Sequence, residues 1–402
     1  MVRQHKIIFA SWLLLAAALC SVQSVSRAEV PVPDRELTLP VVPYEYAQPQ
    51  LPKHLRDVVK HFDNTPPNNP ITDHGATLGR VLFYDIKLSA NEKVSCASCH
   101  KQEFAFTDDR KLSIGFDGKE VTRNSMSLVN VRFYPRRRMF WDERAESLEA
   151  QVLMPIENEV EMGHDLNELV PLLQQDPLYP PLFKKAFGTA EVTSERISLA
   201  LSQFVRAIVS YRSKYDVGRA QVVRATDPFP NFTEQENYGK EQFFGRANCA
   251  SCHLDEAKTS AGKVEQSAIF YVAKPVANGV DSKEPGDDAG LAAYTKRATD
   301  HGKFKVPSLR NIELTAPYMH DGRFHTLDQV VEHYNWSVRP HPNLDERLQD
   351  FAANGMALPE KEKVALTTFL LTLTDRVLLK DKRFASPFVA KRNSIQTSQS
   401  RD

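Results

Sequence analysis

The sequence predicts a mostly α-helical fold built from two similar modules packed against each other. Three observations carry this: apolar residues recur at helical spacing in several stretches, strand-type alternation is scarce, and the pattern C-A-S-C-H occurs at 96–100 and again at 249–253. With 402 residues, 42% of them hydrophobic, the chain is long enough for two or three domains. Its 51 Lys and Arg balance 51 Asp and Glu, and no long basic block offers a grip on a phosphate backbone, so no nucleic-acid partner is expected.

Residues 1–28 read as a secretory signal. Arg3 and Lys6 precede an apolar stretch from Ile7 to Cys20, and Ser26-Arg27-Ala28 carries the small-x-small pattern of a cleavage site. The stretch is shorter than the ~20 residues a membrane span needs, so none is expected. A lipid anchor on Cys20 is the rival, weakened by Leu19, where that processing favours a small residue. Cleavage after Ala28 implies an exported, periplasmic protein, mildly acidic because Arg3, Lys6 and Arg27 leave without any acid. Residues 29–73, with nine prolines from Pro31 to Pro70 and no helical periodicity, read as an extended arm.

The first module, 74–225, opens with Thr77–Tyr84, which places Leu78, Val81, Leu82 and Phe83 on one helical stripe, Gly79 four residues before Phe83. The second, 226–374, opens with the capping box Thr233-Glu234-Gln235-Glu236 and a helix that sets Gly239 four residues before Phe243. Thr193–Tyr215 is expected as an amphipathic helix with Ile197, Leu201, Phe204, Val205, Ile208 and Val209 on its buried face. Pro359–Leu373 is expected as the closing helix of the second module. Glu256–Lys305 reads as a long polar loop, and 375–402 as a tail, frayed from 386 onward.

Once the signal is removed, the cysteines are Cys96, Cys99, Cys249 and Cys252, and each pair is followed by a histidine. An oxidising compartment suggests two disulfides, yet C-x-x-C-H is the attachment pattern of haem c. Two thiols one helical turn apart add across the vinyl groups, and the adjacent histidine, His100 or His253, is held beneath the iron. Two copies with no spare cysteine predict two covalently bound haem c groups. The glycine-then-aromatic helices ahead of them resemble the first helix of cytochrome c folds, so the modules become two cytochrome c-like haem domains packed against each other.

Further motifs follow in order: Arg123-Asn124, Phe140-Trp141-Asp142, Gln151, Pro155-Ile156, Glu161-Met162-Gly163, Val306-Pro307-Ser308-Leu309-Arg310-Asn311, and Thr315 through Gly322 (TAPYMHDG). From Leu78 to Leu373 the chain resembles the bacterial di-haem cytochrome c peroxidases and the related MauG-type enzymes. The resemblance implies Glu161 and Gln151 over a peroxidatic first haem and Trp141 between the two haems. It also implies a calcium ion held by Asn124 with the carbonyls of Thr315 and Pro317. A partly desolvated carboxylate suits the proton transfer that peroxide cleavage needs. Hydrogen peroxide is then the substrate, with electrons from a small cytochrome c or cupredoxin; members of this family are often homodimers.

Two departures matter. Activation-dependent peroxidases carry a distal histidine after a Ser-Ile-Gly stretch, and this chain has Phe116 there, which cannot ligate iron. The first haem is therefore expected without a protein ligand on that face. At the family's methionine position for the second haem stands Tyr334, as in MauG-type enzymes, and a phenolate would lower that haem's potential. Met319, Met356 and His333 are the alternative ligands. His320 and His325 could line the second haem, with surface or propionate-side hydrogen bonding expected rather than ligation, and Arg136-Arg137-Arg138 is expected as a solvated edge. The rival activities are a MauG-like oxidase acting on Trp or Tyr of a partner protein, and a plain electron carrier.

Overall fold

The computed structural model describes residues 35–253, 258–259, 262–263, 274–282 and 287–390. The expected signal segment and the end of the tail lie outside the described residues. The chain is mostly helical, and strands among the described residues form only two short antiparallel pairs, Arg35–Leu37 with Phe388–Ala390 and Lys258–Thr259 with Gly262–Lys263.

Two helix pairs organise two separate hydrophobic clusters. In the first, helix Asp73–Tyr84, capped by the Thr72 hydroxyl on the Gly75 N–H, crosses helix Ser194–Ala207. In the second, helix Glu234–Phe244, capped by the Thr233 and Glu236 box, crosses helix Glu360–Leu371. The crossings repeat in atomic detail. A Cβ on Gly79 would lie 2.0 Å from the Ala200 carbonyl oxygen and 2.8 Å from Phe204 Cβ. A Cβ on Gly239 would lie 1.8 Å from the Ala365 carbonyl oxygen and 2.9 Å from Phe369 Cβ. Only glycine lets the backbones approach this closely. The aromatic four residues on then meets the partner's aromatic, Phe83 on Phe204 at 5.2 Å and Phe243 on Phe369 at 5.1 Å between centroids.

Three boundaries differ from expectation, each for a local reason. The helix expected over Thr193–Tyr215 ends at Ala207. Beyond it the Ser210 N–H is taken by the Asn130 side chain, and the N–H groups of Tyr211 and Arg212 by the Asp375 carboxylate. The proline-rich arm contains a helix, Lys53–Val59, whose Leu55 and Val59 are buried with Phe133, Tyr134 and Val209. The arm also inserts Tyr46 between Phe204 and Phe384. The tail is not frayed at 386. Leu378 and Phe384 belong to the first cluster, and 388–390 pair with 35–37.

A buried ion pair joins the segment after the first helix pair to the second cluster. Arg310 donates to both oxygens of Asp216 at 2.8 and 2.9 Å, beside His54 of the arm and Ser213. Burial alone would raise the Asp216 carboxyl, but Arg310, His54 and Ser213 hold it well below the ordinary carboxylate range.

Candidate active site

Cys96–Cys99 form one helical turn fixed by a Ser95 and Ser98 capping box, so both thiols face the same way. With His100 they line an apolar cavity whose wall also includes Phe83, Leu128, Val152, Leu201 and Val205. Burial pushes the Cys96 thiol up to about 12 and that of Cys99 to about 11; both cysteines are free, with no disulfide. The His100 Nδ1 lies 3.0 Å from the Phe106 carbonyl oxygen, which accepts a hydrogen bond from the Nδ1–H and so leaves Nε2 with a free lone pair. Burial lowers the His100 pKa, favouring the neutral form that binds metal.

Gln151 and Glu161 line this same cavity, as expected. Gln151 ends the helix Leu148–Gln151, whose Ser147 cap accepts from the Ala150 N–H and whose Glu149 is clamped by Arg206 and Ser198. Glu161 sits in a turn governed by Asn158, whose Oδ1 accepts the N–H groups of Val160 (2.9 Å) and Glu161 (3.1 Å). Burial raises the Glu161 pKa above that of an ordinary glutamate, and the Arg144 charge opposes the rise. Phe116 packs its ring on Gly163, which has φ +63°, and is absent from the cavity wall. Among the described residues, the only imidazole lining this cavity is His100.

Trp141 lines a second, larger cavity together with Cys249, Cys252 and His253. Its indole N–H donates to the Asn124 carbonyl at 2.7 Å, and its own carbonyl accepts from Lys305. Three residues on, Arg144 is the cation whose charge acts on Glu161, so the short 141–144 turn carries both a wall residue of the second cavity and a charge felt at the acid of the first. Arg136 and Arg137 are exposed, as expected of a solvated edge, but the edge is anchored: Arg136 pairs with the fully buried Glu143, and the half-buried Arg138 donates to the Glu143 carbonyl.

Tyr334, Met319 and Met356 also line the second cavity, whereas His333 turns away to bind the Asn278 carbonyl at 3.1 Å. Burial pushes the Tyr334 phenol up to about 12, against a lowering by the Asn278 amide. His320, expected outside or beside the propionates, is buried in the cavity wall, stacked on Phe304 at 3.8 Å and edge-on to Trp141. His325 is exposed. Asn124 is buried, its amide donating to the carbonyls of Arg110 and Lys111 and its N–H to that of His320, which ties it to the loop carrying Thr315 and Pro317. Among the described residues no cluster of three His, Cys, Asp or Glu is arranged to hold a metal ion.

Both cavities suit a haem: each is apolar and carries on its wall two neighbouring thiols with the histidine that follows them, and His320 adds a second imidazole to the wall of the second. Asn158, Arg144 and Asn278 were missed in the sequence, where an asparagine in a polar stretch carries no signal.

The model of the family described as di-haem cytochrome c peroxidase matches residues 73–221. The methylamine utilization protein MauG of Methylorubrum extorquens is 30% identical over 77% of this chain and 80% of its own length. The chain belongs to the di-haem cytochrome c peroxidase and MauG family. The cytochrome c551 peroxidase of Nitrosomonas europaea is 35% identical over 64% of this chain and 71% of its own. Among solved structures, a MauG-like protein associated with microbial copper homeostasis superposes with a TM-score of 0.67 at 33% identity, covering 80% of this chain and 95% of its own. The di-haem peroxidase BthA of Burkholderia thailandensis E264 shares the fold at a TM-score of 0.60 and 22% identity, covering 81% and 91%. Membership of this family implies two haem groups and oxidoreductase chemistry. No helix among the described residues is long and apolar enough to cross a membrane.

Proposed function

We propose that the protein is a periplasmic peroxidase that reduces hydrogen peroxide to two waters, using two electrons and two protons. One observation carries the reading: the Glu161 carboxyl and the Gln151 amide line the same cavity as Cys96, Cys99 and His100. In this reading Cys96, Cys99 and His100 hold one covalently bound haem, and Cys249, Cys252 and His253 the other. When bound, the haems supply the redox chemistry and the electron store.

The chain supplies the rest. The Phe106 carbonyl fixes the His100 tautomer, so that Nε2 faces the cavity. The Glu161 carboxylate takes a proton from one peroxide oxygen and returns it to the other, a task suited to a carboxyl whose pKa burial has raised. Gln151 orients the peroxide by hydrogen bonding, and Trp141, on the second cavity's wall, relays electrons from the second module. The donor is a small cytochrome c or cupredoxin. A calcium ion held by Asn124 and the carbonyls of Thr315 and Pro317 would brace the loops around Trp141.

Phe116 favours a second reading, a MauG-like oxidase acting on Trp or Tyr of a partner protein, because its ring is spent on Gly163 and leaves the first cavity without a competing ligand. One experiment tests both. The as-isolated diferric protein is titrated with hydrogen peroxide, followed by absorption and EPR, then supplied with reduced cytochrome c. Steady turnover supports the peroxidase. A peroxide-induced state discharged only by a specific protein supports the oxidase. Inertness in both steps overturns both readings.

A further inference from the structure

We propose that Tyr334 and Met319 are alternative sixth ligands of the second haem, exchanged when its iron is reduced, and that Asn278 is the positioning residue that keeps both in reach. The inference rests on the reading that His253 carries a haem.

The geometry converges on one amide. Asn278 Nδ2 donates to the Tyr334 hydroxyl at 3.3 Å and to the Met319 Sδ at 3.4 Å, and both side chains line the cavity that holds His253. The amide is aimed there because its Oδ1 accepts from the Val280 N–H at 3.4 Å. Its backbone is held in turn, since the Asn278 carbonyl binds Nε2 of His333, the residue before Tyr334. Met319 adopts φ +73°, a conformation that costs a non-glycine residue energy and is retained where surroundings or function require it.

The two donors differ in kind. A phenolate oxygen is hard and prefers ferric iron; a thioether is soft and prefers ferrous iron. Both side chains already line the cavity that holds His253, and methionine is the most adaptable of the apolar side chains. The exchange balances. One electron from the reductant converts ferric to ferrous iron, the bond to the Tyr334 oxygen breaks, that oxygen takes a proton from water, and the Met319 sulfur lone pair forms the new bond. Oxidation reverses each step. The second haem would thus hold a low potential when oxidised and a raised one once reduced.

The test uses the full-length holoprotein, with haem content measured first and dithionite as reductant. Absorption, magnetic circular dichroism and resonance Raman spectra are compared for wild type, Met319→Leu, Tyr334→Phe and Asn278→Ala. Met319→Leu is expected to keep the wild-type ferric spectrum but give a five-coordinate, high-spin second haem when reduced. Tyr334→Phe should show a near-infrared thioether band in the ferric state. Asn278→Ala, which strips a hydrogen bond from the phenolate, should lower the second haem's midpoint potential and leave the first unchanged. Two haems per chain with a wild-type ferrous spectrum in Met319→Leu overturns the exchange alone. Fewer than two haems overturns the di-haem reading and the exchange with it.

Discussion

The backbone N–H of Phe116 donates to the carbonyl oxygen of Glu161 at 3.0 Å. The loop that carries Phe116 is thus stitched to the turn that carries Glu161. The contact is tight enough that a Cβ on Gly115 would lie 1.6 Å from the Val160 carbonyl. Glu161 is held on its other side by Asn158, so its position is set by backbone bonds while its carboxyl stays directed at the cavity.

Removing the carboxyl while keeping its shape tests its role. Glu161→Gln is expected to lower peroxidase turnover about 10²–10⁴-fold, the usual worth of a general acid or base, with haem content and spectrum retained. Turnover within a factor of two of wild type would dismiss Glu161 as the proton carrier.

Support of that carboxyl can be probed separately. Asn158→Ala leaves the Val160 and Glu161 N–H groups without their acceptor, at a cost of about 1–3 kcal/mol. Because the loss falls on the turn, turnover should drop at least tenfold while the melting temperature falls by only several degrees and the protein stays folded at the assay temperature. Steady-state kinetics alongside calorimetry distinguish this from a general loss of fold.

The pH profile carries a sign. Burial raises the Glu161 pKa, and the base form is needed, so activity should fall on acidification at a pH above that of an ordinary glutamate. Arg144 lowers the same pKa, so Arg144→Leu should move this acid limb to higher pH. A limb unmoved, or moved to lower pH, would contradict the assignment.

The buried Asp216 and Arg310 pair predicts a pH-dependent stability. Asp216→Asn should cost about 3–5 kcal/mol at neutral pH, because Arg310 is left buried without its counter-charge. The folded Asp216 pKa is depressed, so its contribution is full above the ordinary value of 3.8 and is lost as pH falls through the folded value. Urea unfolding of both proteins should therefore differ fully at pH 7, with the gap narrowing only in strong acid.

Much of this was legible because it is local. The Thr233 and Glu236 capping box forms as its residues dictate, and the glycine four residues before phenylalanine reports a helix crossing in both modules. Gln151 and Glu161 came from family resemblance, and the cavity unites them. What escaped depends on partners distant in sequence. Residues 208–212 look helical until Asn130 and Asp375 claim their N–H groups. Asn278 lies in a stretch read as polar loop, and its meaning comes from Val280, Met319, His333 and Tyr334 meeting around it.

The strand pairing of 35–37 with 388–390, and the hydrogen bond from the Tyr46 hydroxyl to the Arg383 carbonyl, have a topological consequence. The second module is an insertion between two halves of the first. Its core takes Leu378 and Phe384 only after everything between has emerged, so closing it requires a loop spanning nearly the whole chain. Such late, long-range closure slows folding and leaves Cys96 and Cys99 on an incomplete core until the chain's end is in place. On the proposed reading, this is the interval in which a haem could reach the two thiols, before the C-terminal residues arrive and seal the module behind them.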